Sequence, residues 1–337
     1  MVDGAQGGSE VNVRMRINRW TSGRREMLNG HALTSGLVQG HFVVDGQGID
    51  EPIPSLPGIH RQSVDVLRQR IAEDVNMGVL GHMLFPVHPQ EAKDPDGRLG
   101  LNSDGPMLKA LKVLREDHGE AVVLMADVCM CTVTDHGHCG HVAGGAILND
   151  ETVATLAQMA VLAAQAGADY VGASDMMDGR VGAIRTALED AGHHSTGVLS
   201  YAVKYASAFY GPFRDAAGSS PQSGDRRSHQ MDPRASVNEA VMEAQLDEAE
   251  GADLLMVKPA LAYLDVVAAV RTATRRPVAV YNVSGEYAMV HAQHPDADER
   301  KGVVEEIMHA FQRAGASVIV TYHAREIFER GWLEVKA

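Results

Sequence analysis

The sequence predicts a (β/α)8 barrel, an α/β fold in which eight parallel strands alternate with helices around a closed sheet. Three observations predict it. From residue 37 onward, short apolar or β-branched runs alternate with segments at helical spacing. The runs that follow the three glycine joints described next are apolar throughout, as strands covered on both faces must be. Three helix-to-strand joints also share one form: Ala-Gly-Ala-Asp at 166–169, Glu-Gly-Ala-Asp at 250–253 and Ala-Gly-Ala-Ser at 314–317. Each places glycine where a helix C-cap requires it.

The predicted strands are, in order, Leu37–Val44, His82–Val87, Ala121–Val128, Tyr170–Ser174, Gly197–Val203, Leu254–Lys258, Val278–Tyr281 and Val318–Tyr322. The helices between them are Val64–Met77, Met107–Asp117, Thr152–Ala166, Val181–Ala191, Ser236–Ala249, Asp265–Thr272 and Val303–Ala314. This count favours a TIM-type barrel over a doubly wound open sheet. The open sheet usually carries a G-x-G-x-x-G turn or a P-loop, and neither string occurs. Residues 37–337 are thus expected to form the barrel. Residues 1–36 are expected to be a flexible N-terminus and oligomerisation arm. Residues 1–10 are glycine-rich, and residues 11–36 carry Arg14, Arg16, Arg19, Arg24 and Arg25, which fits either a solvated tail or an arm on a neighbouring subunit.

Composition sets outer bounds. The 337 residues are 45% hydrophobic and 22% charged, enough for a large core. A net charge of −14 argues against nucleic acid or an anionic membrane as a partner. There is no run of about 18 apolar residues, and residues 1–30 lack the apolar centre of a secretory signal. The expectation is a cytoplasmic chain.

In a barrel the chemistry belongs at the C-terminal ends of the strands. Those ends read Asp127 followed by a cysteine cluster, Ser174-Asp175, Lys204, Lys258, Ser284 and Tyr322. Only seven of the 30 basic residues are lysine, so two at strand ends are informative. A lysine amine is a nucleophile only when neutral, and desolvation or a neighbouring cation lowers its pKa. The bland reading pairs each lysine with a strand-end carboxylate. Cys129, Cys131 and Cys139 lie within eleven residues, with His136 and His138 among them. Three thiolates suit zinc and leave a fourth position open. The stretch 208–235 is long, rich in Gly, Ser and Pro, and contains Arg214, Arg226 and Arg227. It reads as a lid whose arginines recognise a carboxylate.

These residues resemble the porphobilinogen synthase, or 5-aminolevulinate dehydratase, family. The matching strings are Asp127-Val-Cys-Met-Cys, His136-Gly-His-Cys-Gly, Ser174-Asp-Met-Met-Asp-Gly-Arg-Val, Phe209-Tyr-Gly-Pro-Phe-Arg-Asp-Ala-Ala, Gly224-Asp-Arg-Arg, Met256-Val-Lys-Pro and Val283-Ser-Gly-Glu. The resemblance spans the chain from about residue 12 to its end. It implies a lyase that condenses two 5-aminolevulinate molecules into porphobilinogen with loss of two waters, in tetrapyrrole (haem) biosynthesis. It implies Schiff-base roles for Lys204 and Lys258, with Ser284 and Tyr322 holding the carboxylate of one substrate and Arg214 and Arg226 that of the other. It further implies catalytic Zn2+ on Cys129, Cys131 and Cys139, an activating Mg2+ at Glu243, and a homo-octamer built through residues 11–36. Asp127, Ser174 and Asp175 fall in supporting positions. Two departures stand out. Thr132-Val133 replaces a Pro-aromatic pair, and Ser228 stands where some zinc-type members have cysteine, which argues against a second thiolate site. A one-lysine aldolase-like lyase and an inactive zinc-stabilised binding barrel are the rival readings.

Overall fold

The computed structural model describes residues 13–222 and 224–333. Eight parallel strands close into a barrel: β1 Leu37–Val44, β2 Gly81–Pro86, β3 Val123–Val128, β4 Tyr170–Ala173, β5 Gly197–Lys204, β6 Leu254–Lys258, β7 Val278–Tyr281 and β8 Ala316–Thr321. Each pairs with its neighbour in sequence, and β8 pairs with β1 to complete the circle. The outer helices are α1 Val64–Met77, α2 Pro106–His118, α3 Asn149–Gln165, α4 Arg180–Asp190, α5 Val237–Ala249, α6 Leu264–Ala273, α7 Ala297–Ala314 and α8 Ala324–Glu329. All eight predicted strands and seven predicted helices are found. Strand and helix ends shift by a residue or two, except that α3 begins three residues early and α7 six, the latter at an Asp296 cap that accepts from the Asp298 N–H.

Side chains divide by the period of two. Val38, Phe42, Met83, Phe85, Met125, Tyr201, Met256 and Tyr281 fill the barrel interior. Alternating residues such as Leu84, Leu124, Ala126, Val171, Leu255 and Val280 pack outward beneath the helices. One irregularity positions the site. Between β5 and β6 the register runs Leu255 to Ser200 and then Val257 to Val203, so Tyr201 and Ala202 together face Met256. This extra residue restores the inward phase at the end of β5 and places Lys204 directly beside Lys258.

The repeated joints explain the bottom of the barrel. Gly167, Gly251 and Gly315 adopt φ near +103°, +103° and +113°, the left-handed conformation of a helix C-cap. In the first two joints the aspartate that follows reaches back to the preceding strand. Asp169 accepts the Leu124 N–H at 2.8 Å, and Asp253 accepts that of Val198 at 2.9 Å. Arg185 pairs with Asp253, while Arg24 and Arg115 both pair with Asp169.

Of the segment expected to be an arm, residues 1–12 lie outside the described residues. Residues 13–36 pack on this chain's own barrel. Asn18 donates to the Asp253 carbonyl and accepts from the Tyr170 hydroxyl, and Ile17 is buried beneath them. Helix Ser22–Asn29, capped by Thr21, holds Arg24 over Tyr170 and against Asp169. The arginines of this segment therefore have different jobs, and Arg24 is a buried anchor.

Replacing Arg24 with Leu leaves the buried Asp169 with Arg115 as its only cation. Breaking such a pair costs about 3–5 kcal/mol of unfolding free energy, which urea denaturation at neutral pH checks. A loss within experimental error would show that the N-terminal segment contributes little to the barrel.

Candidate active site

Lys204 and Lys258 end adjacent strands, directly paired in register, and are 5% and 6% exposed. Neither forms an ion pair within 4.0 Å of a carboxylate among the described residues, although the charge of the strand-end Asp127 acts on both. The Lys204 ammonium donates to the Ser174 carbonyl. Lys258 lies among ring faces, with Nζ 4.2 Å from the Tyr281 centroid and 5.1–5.3 Å from those of Phe213, Tyr201 and Tyr210. Burial, followed by the charge of Lys204, lowers the pKa of Lys258 to about 7. Near neutral pH this amine is therefore substantially unprotonated, as a nucleophile must be.

Asp127, near both lysines, is buried and hydrogen-bonded to Ser174; desolvation raises its pKa against the opposing pull of the two amines. Asp175, expected in the same supporting group, is buried near enough to the cysteine cluster to feel the charge of Cys139. It accepts the Met177 N–H at 2.7 Å and lies 3.8 Å from Arg180, which bonds Asp247 beneath α5.

Cys129, Cys131 and Cys139 converge, their sulfurs within 4.8 Å of one another and all buried. S–H bonds from Cys129 and Cys131, with Arg226 nearby, push Cys139 towards the thiolate, while Cys129 and Cys131 are pushed up. Three mutually opposed sulfurs in a buried site fit a thiophilic cation, which would favour all three as thiolates. His136 accepts the His138 N–H and so shapes the loop, and it is not part of the sulfur cluster.

The long stretch after β5 folds over this rim. A turn at Ala208–Tyr210 leads into a short helix, Gly211–Ala217. Arg226 donates to the Gly137 carbonyl at 2.7 Å, tying the lid to the cysteine loop. Gly137 itself has φ +70°, and a Cβ there would meet the Ser220 carbonyl at 2.5 Å, so the two loops touch through bare backbone. Arg214 and Arg226 lie close enough that Arg226 depresses the Arg214 pKa, after burial. Neither pairs with a carboxylate among the described residues, and the Nε of each is buried without a partner. Two close guanidiniums with unused donors match the geometry by which arginine takes a carboxylate.

Ser284 and Tyr322 come from the two strands beyond Lys258. The Ser284 hydroxyl accepts the Phe213 N–H at 2.9 Å and so meets the lid. Tyr322 shares a 2.9 Å hydrogen bond with Tyr281, whose ring also contacts Lys258. Glu243 stands on α5, half-buried; burial and the neighbouring Asp247 raise its pKa, with Asp178 and Glu239 adding to the acidic field.

Two residues carry weight that sequence reasoning did not assign. Glu286 is buried and accepts four neutral donors: the N–H groups of Ala260 and Leu261 on one oxygen, Asn282 Nδ2 and the Val283 N–H on the other. Asn282 in turn accepts from Thr321 at 3.0 Å. This chain fastens together the ends of β6, β7 and β8, and hence Lys258, Ser284 and Tyr322. Lys93 is a third buried lysine; its ammonium donates to the Gly218 carbonyl and pins the end of the lid helix. Lysine scarcity alone would have marked it.

The fold and this rim define a class: a β/α-barrel enzyme with two paired buried lysines, a buried thiol cluster and a lid that carries two close arginines. A family model described as Delta-aminolevulinic acid dehydratase matches residues 12–330. The Delta-aminolevulinic acid dehydratase of Bacillus subtilis (strain 168) is 45% identical over 315 residues, 93% of this chain and 96% of that one. That of Mycobacterium tuberculosis (strain H37Rv) is 48% identical over 300 residues, 88% and 90% of the two chains. A crystal structure of the Toxoplasma gondii ME49 enzyme, also titled porphobilinogen synthase, in complex with its reaction product porphobilinogen, superposes with a TM-score of 0.85 at 41% identity. It covers 95% of this chain and 92% of that one. The chain belongs to the delta-aminolevulinic acid dehydratase family and is a hydro-lyase.

Glu286→Gln turns an amide donor towards groups that are themselves donors and loosens the three strand ends. Displacing catalytic groups by the order of 1 Å costs about 100-fold, so kcat is expected to fall by about that factor. Steady-state kinetics checks this, and an unchanged kcat would remove Glu286 from the positioning machinery.

Proposed function

We propose that this chain condenses two molecules of 5-aminolevulinate into porphobilinogen with loss of two waters, each substrate bound as a Schiff base to one of its paired lysines. The observation that carries the reading is the side-by-side placement of Lys258 and Lys204, with Lys258 neutral near pH 7.

The Lys258 amine attacks the ketone carbon of the first substrate. Loss of water from the carbinolamine leaves an imine, and protonation makes it an electron sink for the adjacent carbon. Ser284 and Tyr322, one strand and two strands along the rim, take this substrate's carboxylate. Lys204 engages the second substrate, whose carboxylate meets Arg214 and Arg226. The unpartnered Nε atoms of both arginines support that assignment. Asp127 lies where a proton can be passed between an amine and a substrate carbon, with Ser174 orienting it. Closing the aromatic wall of Tyr210 and Phe213 excludes water, which keeps the imines from hydrolysing.

Cys129, Cys131 and Cys139 would hold a zinc ion. When bound, zinc supplies Lewis-acid polarisation of a substrate oxygen or nitrogen beside the lysines. Glu243, in its acidic surroundings on α5, is the proposed magnesium ligand. Self-association, with a homo-octamer as the expected form, is supported by apolar side chains left at the surface. These are Met242 and Leu246 on α5, and Val13, Met15 and Trp20 in the N-terminal segment. Among the described residues no helix is long and apolar enough to cross a membrane, and the acidic surface favours neither nucleic acid nor membrane.

Borohydride reduction in the presence of 5-aminolevulinate tests the reading. The expected result is a covalent adduct on the Lys258 peptide by mass spectrometry, with porphobilinogen formed by the unreduced enzyme. A zinc chelator should abolish product formation and added zinc restore it. Neither adduct nor pyrrole from zinc-replete protein would overturn the proposal.

A further inference from the structure

A second group of metal-type side chains lies on the flank of the barrel, between β8 and the helix Ser284–Gln293. His323 directly follows Tyr322 and is fully buried, yet neither of its ring nitrogens has a hydrogen-bond partner. His291 faces it from Ser284–Gln293, the rings 5.6 Å apart and 7° from parallel, and its Nε2 is also buried and unpartnered. Glu326, at the start of α8, brings Oε2 to 3.8 Å from His323 Nδ1, too far for a hydrogen bond.

The surroundings hold these groups in place. Tyr287 packs against both imidazoles, with ring centroids 4.3 and 4.4 Å away, and its hydroxyl is fixed by the Pro57 carbonyl. The second carboxylate oxygen of Glu326 is held by Arg300 at 2.6 Å, which leaves Oε2 facing the histidines. A cavity of about 430 Å³ opens beside them, lined in part by His291 and Glu326.

We propose that His291, His323 and Glu326 form a binding site for a divalent transition metal of the zinc class, distinct from the cysteine cluster. Burying imidazole nitrogens without partners is unfavourable, and a metal ion satisfies them. One ligand atom from each residue lies within 4.8 Å of the other two. Tetrahedral zinc needs such atoms about 3.4 Å apart, a closure of roughly 1 Å that side-chain rotation supplies. Two imidazoles and a carboxylate favour zinc, cobalt or nickel over magnesium. The adjoining cavity provides an entry path and room for water in the open position. The nearby trio of His41, His82 and Asp74 is different, because His41 Nε2 and His82 Nδ1 are already bonded to each other at 3.2 Å.

Zinc binding to the full chain, with and without the thiolates, tests the site. Cys139→Ser protein dialysed against zinc should retain zinc whose X-ray absorption shows imidazole scattering and no sulfur. His323→Phe, which keeps the ring volume, should remove that component and leave the sulfur-bound zinc of the unmodified chain intact. Zinc should also raise the Tm of Cys139→Ser but not of Cys139→Ser/His323→Phe. His291→Gln gives the same readout if His323→Phe does not fold. Zinc without imidazole ligation in Cys139→Ser, or imidazole ligation that survives loss of His323 or His291, would overturn the proposal. Failure of the cysteine site would appear separately, as the absence of sulfur scattering in the unmodified chain.

Discussion

Two ammonium groups side by side in a place nearly without water cannot both stay charged at small cost, and the upper rim of this barrel is arranged around that conflict. The register shift between β5 and β6 creates it. Without the extra residue opposite Met256, the side chain at position 204 would point outward, under the helices, and Lys258 would stand alone. With it, one lysine finds a carbonyl partner at Ser174 while the other sits among four aromatic faces and gives up its proton readily. The pair is thus asymmetric before any substrate arrives.

The rest of the site follows from keeping that pair dry and surrounded by donors. The lid brings Tyr210 and Phe213 over Lys258 and is anchored at several points, among them Ser284 through Phe213, Lys93 through Gly218, Arg61 through Ala216, and the cysteine loop through Arg226 and Gly137. Glu286 fastens the strand ends below. A lid so tied can leave only by breaking several contacts together, which couples its position to the sulfur cluster and to the β7 rim. The two unpaired arginines then have a reason to be unpaired. Their partner arrives with the substrate, as the proposed function requires.

Much of this was legible in the sequence, for identifiable reasons. Doubly covered strands are mostly apolar, so every barrel strand stood out, and repeated Gly-Ala-Asp joints marked helix ends. Strand-end lysines stood out because lysine is rarely buried, and the cysteines because all three in the chain fall within eleven residues. What was not legible depends on three-dimensional register or on partners distant in sequence. The bulge at Tyr201-Ala202 has no local signature. Glu286 reads as an ordinary glutamate in the first turn of a helix until Ala260 and Leu261 are placed against it. Asp175 reads as a strand-end acid but turns to Arg180. The arginines at 14–25 look alike in sequence, whereas Arg24 alone of them is buried, because Asp169 waits at the barrel's lower end.

The central claim is that Lys204 depresses the pKa of its neighbour, and direct titration of Lys258 tests it. In substrate-free protein carrying 15N-labelled lysine, the Lys258 amine should titrate near pH 7. In Lys204→Met the neighbouring charge is gone, so the titration should move upward, towards the ordinary lysine value near 10.5. A Lys258 amine that titrates near 10 in the unmodified chain, or one that does not move when Lys204 is replaced, would contradict the account.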